Sequence, residues 1–170
     1  MDTTFIFILA FSLIVKVSSA QTAINAYARV TNITGNTLIL SAVNESYDTY
    51  ENGERVMILQ VQDNVIGTNT MNNTNFGNLA SIQSAGLYEF ATILSHTELG
   101  GVPNSITLST SLSNLYNTGA NSRVQIISYP RLGSPNYTTL NDIEALPWDG
   151  NIGGVIVFEV IGQYSLIIIS

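Results

Sequence analysis

The sequence predicts an all-β fold, a small barrel or sandwich built from two related three-stranded units. Three observations carry that prediction. The composition mixes Asn, Thr, Ser and Gly with Ile, Val and Leu, and only 10% of residues are charged, which favours strands and turns over helices. Apolar and polar residues alternate along several short runs, the period of a half-buried strand. The chain also repeats itself: "YARVTNITGNTLILSAVNESYDTYENGERVMI" (27–58) lines up with "YEFATILSHTELGGVPNSITLSTSLSNLYNTGANSRVQI" (88–126).

The elements follow in order. Residues 1–20, MDTTFIFILAFSLIVKVSSA, read as a secretory signal peptide, with an apolar run over 5–15 and small residues up to Ala20 for cleavage before Gln21. The run is shorter than the roughly 20 apolar residues of a membrane span. It departs from the usual pattern in carrying Asp2 ahead of the run and Lys16 behind it. The predicted location is extracellular or on the outer cell surface, without membrane insertion after cleavage. Residues 21–170 remain, enough for one domain with a real core. They contain no cysteine, so packing alone must hold an exported fold. Losing Lys16 and Asp2 leaves four arginines against eleven carboxylates, still a net charge of −7, which repels nucleic acid and anionic membranes.

Within the mature chain, residues 21–145 form the predicted β-module. Tyr27 matches Tyr88, and Ala28-Arg29-Val30 matches Ala91-Thr92-Ile93 after a small shift. The run 37–41 matches 105–109, Tyr47 matches Tyr116, and 55–58 matches 123–126. The second copy is longer in its first turn, where HTELGGVPN replaces TGN, a change that a hairpin tolerates. Gly35-Asn36 and Gly100-Gly101 supply the turns. Leu38 and Leu40 face one way against Thr37, Ile39 and Ser41. Val56, Ile58 and Gln60 face one way against Met57, Leu59 and Val61. Two such units bury each other's open faces on closing together. Between them, 62–87 reads as a polar excursion with one short helix near 78–83. The stretch 128–154 holds three of the four prolines and breaks the pattern.

Candidate chemistry is sparse. Gly150, Gly153 and Gly154 lack the G-x-G-x-x-G spacing, and the strand-like VIVFEV (155–160) follows where a phosphate loop needs a helix. Asp149-Gly150-Asn151 is therefore a turn, and the paired glycines let the backbone pass close to a neighbour. His96 is the only histidine, so neither a Cys-His pair nor a multi-histidine metal site can form. No serine sits in a G-x-S-x-G setting for a triad with His96. Glu45, Asp48, Glu51 and Glu54 form a solvated acidic loop that offers at most weak Ca²⁺ binding, since the D-x-D-x-D-G spacing is absent. The sequence offers no catalytic and no cofactor-binding residue. Among the aromatics, Tyr47 and Tyr116 occupy matching repeat positions and read as structural. Trp148, Tyr50 and Tyr137 are the candidate ligand contacts.

Several blocks, in order, carry a likeness to a known family: "YARVTNITGNTLILSAVN", "GERVMILQVQDNVIGTNT", "FGNLASIQSAGLYEFATIL" and "VQIISYPRLGSPNYTTLNDIEALPWDGNIGGVIVFEV". Together they span about residues 21–160 and resemble the N-terminal region of large secreted surface proteins of Bacteroidetes, adhesin-like cargo of the type IX secretion system in gliding bacteria. The resemblance implies that residues 148–160 are the seam between the β-module and the first strand of a glycine-rich β-solenoid, so that 146–170 opens that region as an apparently truncated piece. It implies no catalytic residue. The function expected is an exported, non-enzymatic adhesion module that caps a solenoid. Its partners would be the downstream solenoid, a second copy through the 155–169 strand, or surface glycans and proteins. The alternative is a carbohydrate-binding module serving a polysaccharide-degrading system. An acidic glycosidase using Glu51 and Glu54 ranks last.

Overall fold

The computed structural model describes residues 22–64, 83–133, 136–139 and 142–166. Residues 1–20, expected to be a signal peptide, most of the 62–87 excursion and the helix expected near 78–83 (Gln83 excepted) lie outside the described residues. Those that are described contain strands and no helix, so none is long and apolar enough to cross a membrane.

Six strands make the body: Tyr27–Thr34 (β1), Thr37–Asn44 (β2), Arg55–Gln62 (β3), Tyr88–Glu98 (β4), Pro103–Leu108 (β5) and Arg123–Ser128 (β6). They close into an antiparallel barrel in the order β1-β2-β5-β4-β3-β6, with β6 returning to β1. Of the two architectures left open by the sequence, the barrel is the one formed. Closure removes every free edge from these strands. It is helped by a bulge in β2, where Ala42 takes a left-handed φ of 48° between the Tyr27–Asn44 and Arg29–Ser41 pairs, because an extra residue on one strand increases its coil.

Alternation sorts the side chains as expected. Leu38, Leu40, Val56 and Ile58 point inward with Val30, Ile93, Ile106, Leu108, Val124 and Ile126. Gln60 also points inward and is fully buried; its amide donates to the carbonyls of Gln62 and Asn117 and accepts from the Asn117 N–H.

A second apolar layer lies outside the barrel. Tyr27, Met57 and Ile127 of β1, β3 and β6 are covered by Ile152 and Val157, with Leu146 and Val155 packed alongside. Residues 146–157 thus form a strap across the barrel wall. The strand expected over 155–160 is corrected here: only Glu159–Val160 (β9) joins a ladder. Residues 155–158 join no ladder and are held by side chains. Buried Asn25 donates to the Ser128 and Val157 carbonyls and accepts from the Val157 N–H, and the Tyr27 hydroxyl donates to the Val155 carbonyl.

Beyond the barrel, Arg131–Leu132 (β7) pairs in parallel with β9, and Tyr137–Thr139 (β8) pairs in parallel with Tyr164–Leu166 (β10). The part of the 155–169 strand that lies in β10 is therefore not bare; residues 167–169 fall outside the described residues.

Candidate functional site

The outer face of β3 and β4 carries the most distinctive surface. On β4 the i, i+2 spacing sends Tyr88 and Phe90 outward together, and they are 58% and 46% exposed. Their rings meet edge to face at 6.0 Å and 76°, two walls of a corner. Phe90 then stacks on Tyr129 at 4.9 Å. Tyr129 reaches this face because its N–H donates to the Arg55 carbonyl, which continues the chain past the end of β6 along β3. The Arg55 guanidinium lies 4.4 Å from the Tyr129 ring centre and 5.7 Å from that of Phe90, close enough for attraction to the ring faces. Arg55 and Arg131 both meet one oxygen, Oε2 of Glu159, at 3.2 and 2.9 Å. Two guanidiniums thus share a single carboxylate on a chain of net charge −7. Sequence reasoning missed this cluster; the outward pairing of Tyr88 with Phe90 was readable, but its union with Arg55, Tyr129 and Glu159 depends on register.

The residues singled out from the sequence are scattered. Tyr50 is corrected from ligand contact to core: it is 1% exposed, packs inside the barrel, and its hydroxyl donates to the Ile126 carbonyl at 2.9 Å. Burial, with the charges of Glu45 and Asp48 nearby, pushes its pKa well above the usual tyrosine value. Tyr47, read as structural, is 52% exposed, whereas Tyr116 does pack on the core and directs its hydroxyl to the Ile58 carbonyl. Trp148 is 41% exposed and makes no ring contact with the β4 aromatics among the described residues. Tyr137 lies in β8, and its side chain is outside the described residues. Replacing Tyr50 by Phe is expected to lower stability by about 1 kcal/mol in urea unfolding, since it removes a buried hydrogen bond to the Ile126 carbonyl; an unchanged midpoint would remove the hydroxyl from the account of the core.

Among the described residues no group of three or more His, Cys, Asp and Glu side chains is placed to hold a metal ion. Glu45 accepts the Tyr50 N–H at 2.8 Å and so helps to seat that ring. Partial burial and the charge of Asp48 raise the Glu54 pKa. His96 faces Asn52 and Glu98 at the surface.

The strongest carboxylate site is one the sequence did not flag. Asp63, just past β3, is 3% exposed. Its Oδ1 accepts from the Asn117 amide at 2.7 Å, the Asn64 N–H and the Ser122 hydroxyl, and its Oδ2 accepts from the N–H and hydroxyl of Ser84. Burial alone would raise its pKa, but donors from Ser84, Asn64 and Asn117 hold it well below the usual carboxylate range. No cation is paired with it among the described residues. Asp63 is a structural clasp joining the β3 exit, the 83–86 turn and the 117–122 loop.

The 146–154 loop behaves as the glycine spacing implies. A Cβ at Gly153 would stand 2.6 Å from the carbonyl oxygens of Leu146 and Pro147. Asp149 accepts from the N–H groups of Asn151 and Ile152, and these bonds lower its pKa. The loop closes on itself, and among the described residues it is not followed by the helix whose N-terminus a phosphate loop uses.

What fold and surface define together is a closed β-barrel with an aromatic–arginine face and a strapped wall. Comparison with protein-family models, curated proteins and solved structures returned no match.

Proposed function

We propose that this chain is an exported, non-enzymatic β-module of a cell-surface, adhesin-like protein, and that it caps and starts a parallel β-solenoid of the same polypeptide. One observation carries the reading. Two successive segments run side by side in parallel: Arg131 pairs with Glu159, an offset of 28, and Tyr137 pairs with Tyr164, an offset of 27. A near-constant offset between parallel strands is how coils of a solenoid stack. Two-stranded parallel ribbons are marginal alone, and neither β9 nor β10 has a second neighbour among the described residues. A further coil laid on them would supply it. The barrel has no free edge, as a cap at the end of a solenoid requires.

The internal repeat belongs to the same reading. Exchanging β1, β2 and β3 for β4, β5 and β6 maps the strand ring onto itself. The pairs Leu38–Ile106 and Ile58–Ile126 then fall on the exchange axis. The bond from Tyr50 to the Ile126 carbonyl maps onto that from Tyr116 to the Ile58 carbonyl. On this reading Tyr50, rather than Tyr47, is the counterpart of Tyr116. The leader sequence and the family resemblance support the surface location.

The test is the mass of the native product, by immunoblot of envelope and medium with an antibody to residues 21–145. A species far larger than 18.4 kDa is expected. A single species at or slightly below that mass would overturn the solenoid reading.

A further inference from the structure

We infer that the outer face of β3 and β4 binds an acidic sugar, a uronic-acid unit of a polysaccharide, against Tyr88 and Phe90 and within reach of Arg55 and Arg131. The two halves of the surface call for two halves of a ligand. Tyr88 and Phe90 hold large rings in water, although the neighbouring wall of the same barrel, at Tyr27, Met57 and Ile127, is covered by the strap. Exposed rings inclined at 76° present a ring face and a ring edge to one small apolar object; the C–H face of a pyranose is such an object.

The arginines specify the rest. Both guanidiniums converge on a single carboxylate oxygen, so the patch has a surplus of positive charge, while the chain as a whole carries −7. Two of the four arginines of the mature chain are gathered here. Each guanidinium has five N–H donors in a planar fork suited to a carboxylate. Arg55 is already held in place over Tyr129 and Phe90, so little side-chain freedom remains to be lost on binding. A neutral sugar would use the rings and ignore the charge. Nucleic acid would meet the negative remainder of the molecule. A uronic acid places a carboxylate on the edge of a ring that stacks, and matches both features. Arg131 and Glu159 both lie in the β7–β9 ribbon, but the site needs only their place beside Arg55 and no further coil, so this inference does not rest on the solenoid reading.

The experiment is calorimetric titration of the full chain with oligogalacturonate and with oligoguluronate, beside cello-oligosaccharide as the neutral counterpart. At least one acidic oligosaccharide is expected to bind, the neutral one to bind at least about tenfold more weakly, and added salt to weaken the acidic complex. Tyr88→Ala and Arg131→Gln remove exposed side chains, and each is expected to reduce affinity about tenfold while leaving the thermal midpoint nearly unchanged. Failure of both acidic oligosaccharides to bind would overturn the proposal. So would equal binding of the neutral sugar, or affinity untouched by both variants; the last would place the sugar elsewhere, with Trp148 the next ring to replace. If the native product proves to be short, the solenoid fails and this site stands, and the reverse holds if titration is flat.

Discussion

Asp63→Ala is expected to lower the unfolding free energy at neutral pH by about 3 kcal/mol, because it strips the acceptor from several donors at once. The Asn117 amide, the Ser122 hydroxyl and both donors of Ser84 converge on this one side chain. Three stretches far apart in sequence lose their common partner when it goes. Asp63→Asn keeps the shape but turns half of the carboxylate into a donor facing donors, so it too is expected to destabilise, by about 2 kcal/mol. The pH dependence has a definite sign. The folded-state pKa is depressed below the ordinary 3.8, so the stabilisation is fully present above that value and is lost as pH falls through it towards the folded pKa. Urea unfolding of wild type and Asp63→Asn at neutral pH and near pH 3 tests this. The gap between them should narrow in acid. A gap that is constant or wider in acid would mean that the charged form is not what the donors stabilise.

The β-strands of the barrel were legible because alternation and turn glycines are local signals. Leu38 and Leu40 had to share a face whatever the partner strand, and Gly35-Asn36 had to reverse the chain. What resisted was everything decided by residues distant in sequence. Tyr47 and Tyr50 lie three apart in one polar loop, and nothing local says which of them enters the barrel. The choice is made where Glu45 accepts the Tyr50 N–H and Ile126 offers its carbonyl. Asp63 sits in an Asn- and Thr-rich context that reads as solvated; its burial depends on Ser84, Asn117 and Ser122. The aromatic–arginine face depends on the register that places Met57 opposite Phe90 and on Tyr129 continuing beside Arg55. The 155–158 stretch has a strand's composition, and composition reports extended backbone without saying whether a ladder or side chains such as Asn25 will hold it.

Gly153→Ala is expected to be among the most damaging single-methyl changes in the protein, about 3 kcal/mol or more, through strain and loss of a buried pairing. Gly153 sits at a φ of 99°, and its missing Cβ would meet the Leu146 and Pro147 carbonyl oxygens at 2.6 Å. Those oxygens are fixed backbone; the Gly154 N–H, donating to the Leu146 carbonyl at 2.7 Å, holds the loop shut. On its other side Gly153 is gripped by the fully buried Gln125, whose amide donates to the glycine carbonyl at 3.0 Å and accepts the glycine N–H at 2.7 Å. Making room for a methyl group means moving the 146–147 peptides or parting from Gln125, and either step loosens the strap over Tyr27, Met57 and Ile127. Gly154→Ala is the control: its φ of 75° is also left-handed, but its Cβ would stand an ordinary 3.5 Å from the Trp148 Cβ, so backbone strain of about 1 kcal/mol is all that is expected. The strap should then open before the barrel does, seen as early protease cleavage and fast amide exchange within 146–157 while the barrel amides stay protected. Equal stability of the two alanine variants would show that the close approach at Gly153 does not hold the strap down. The second apolar layer would then have to be secured by Asn25 and the Tyr27 hydroxyl alone.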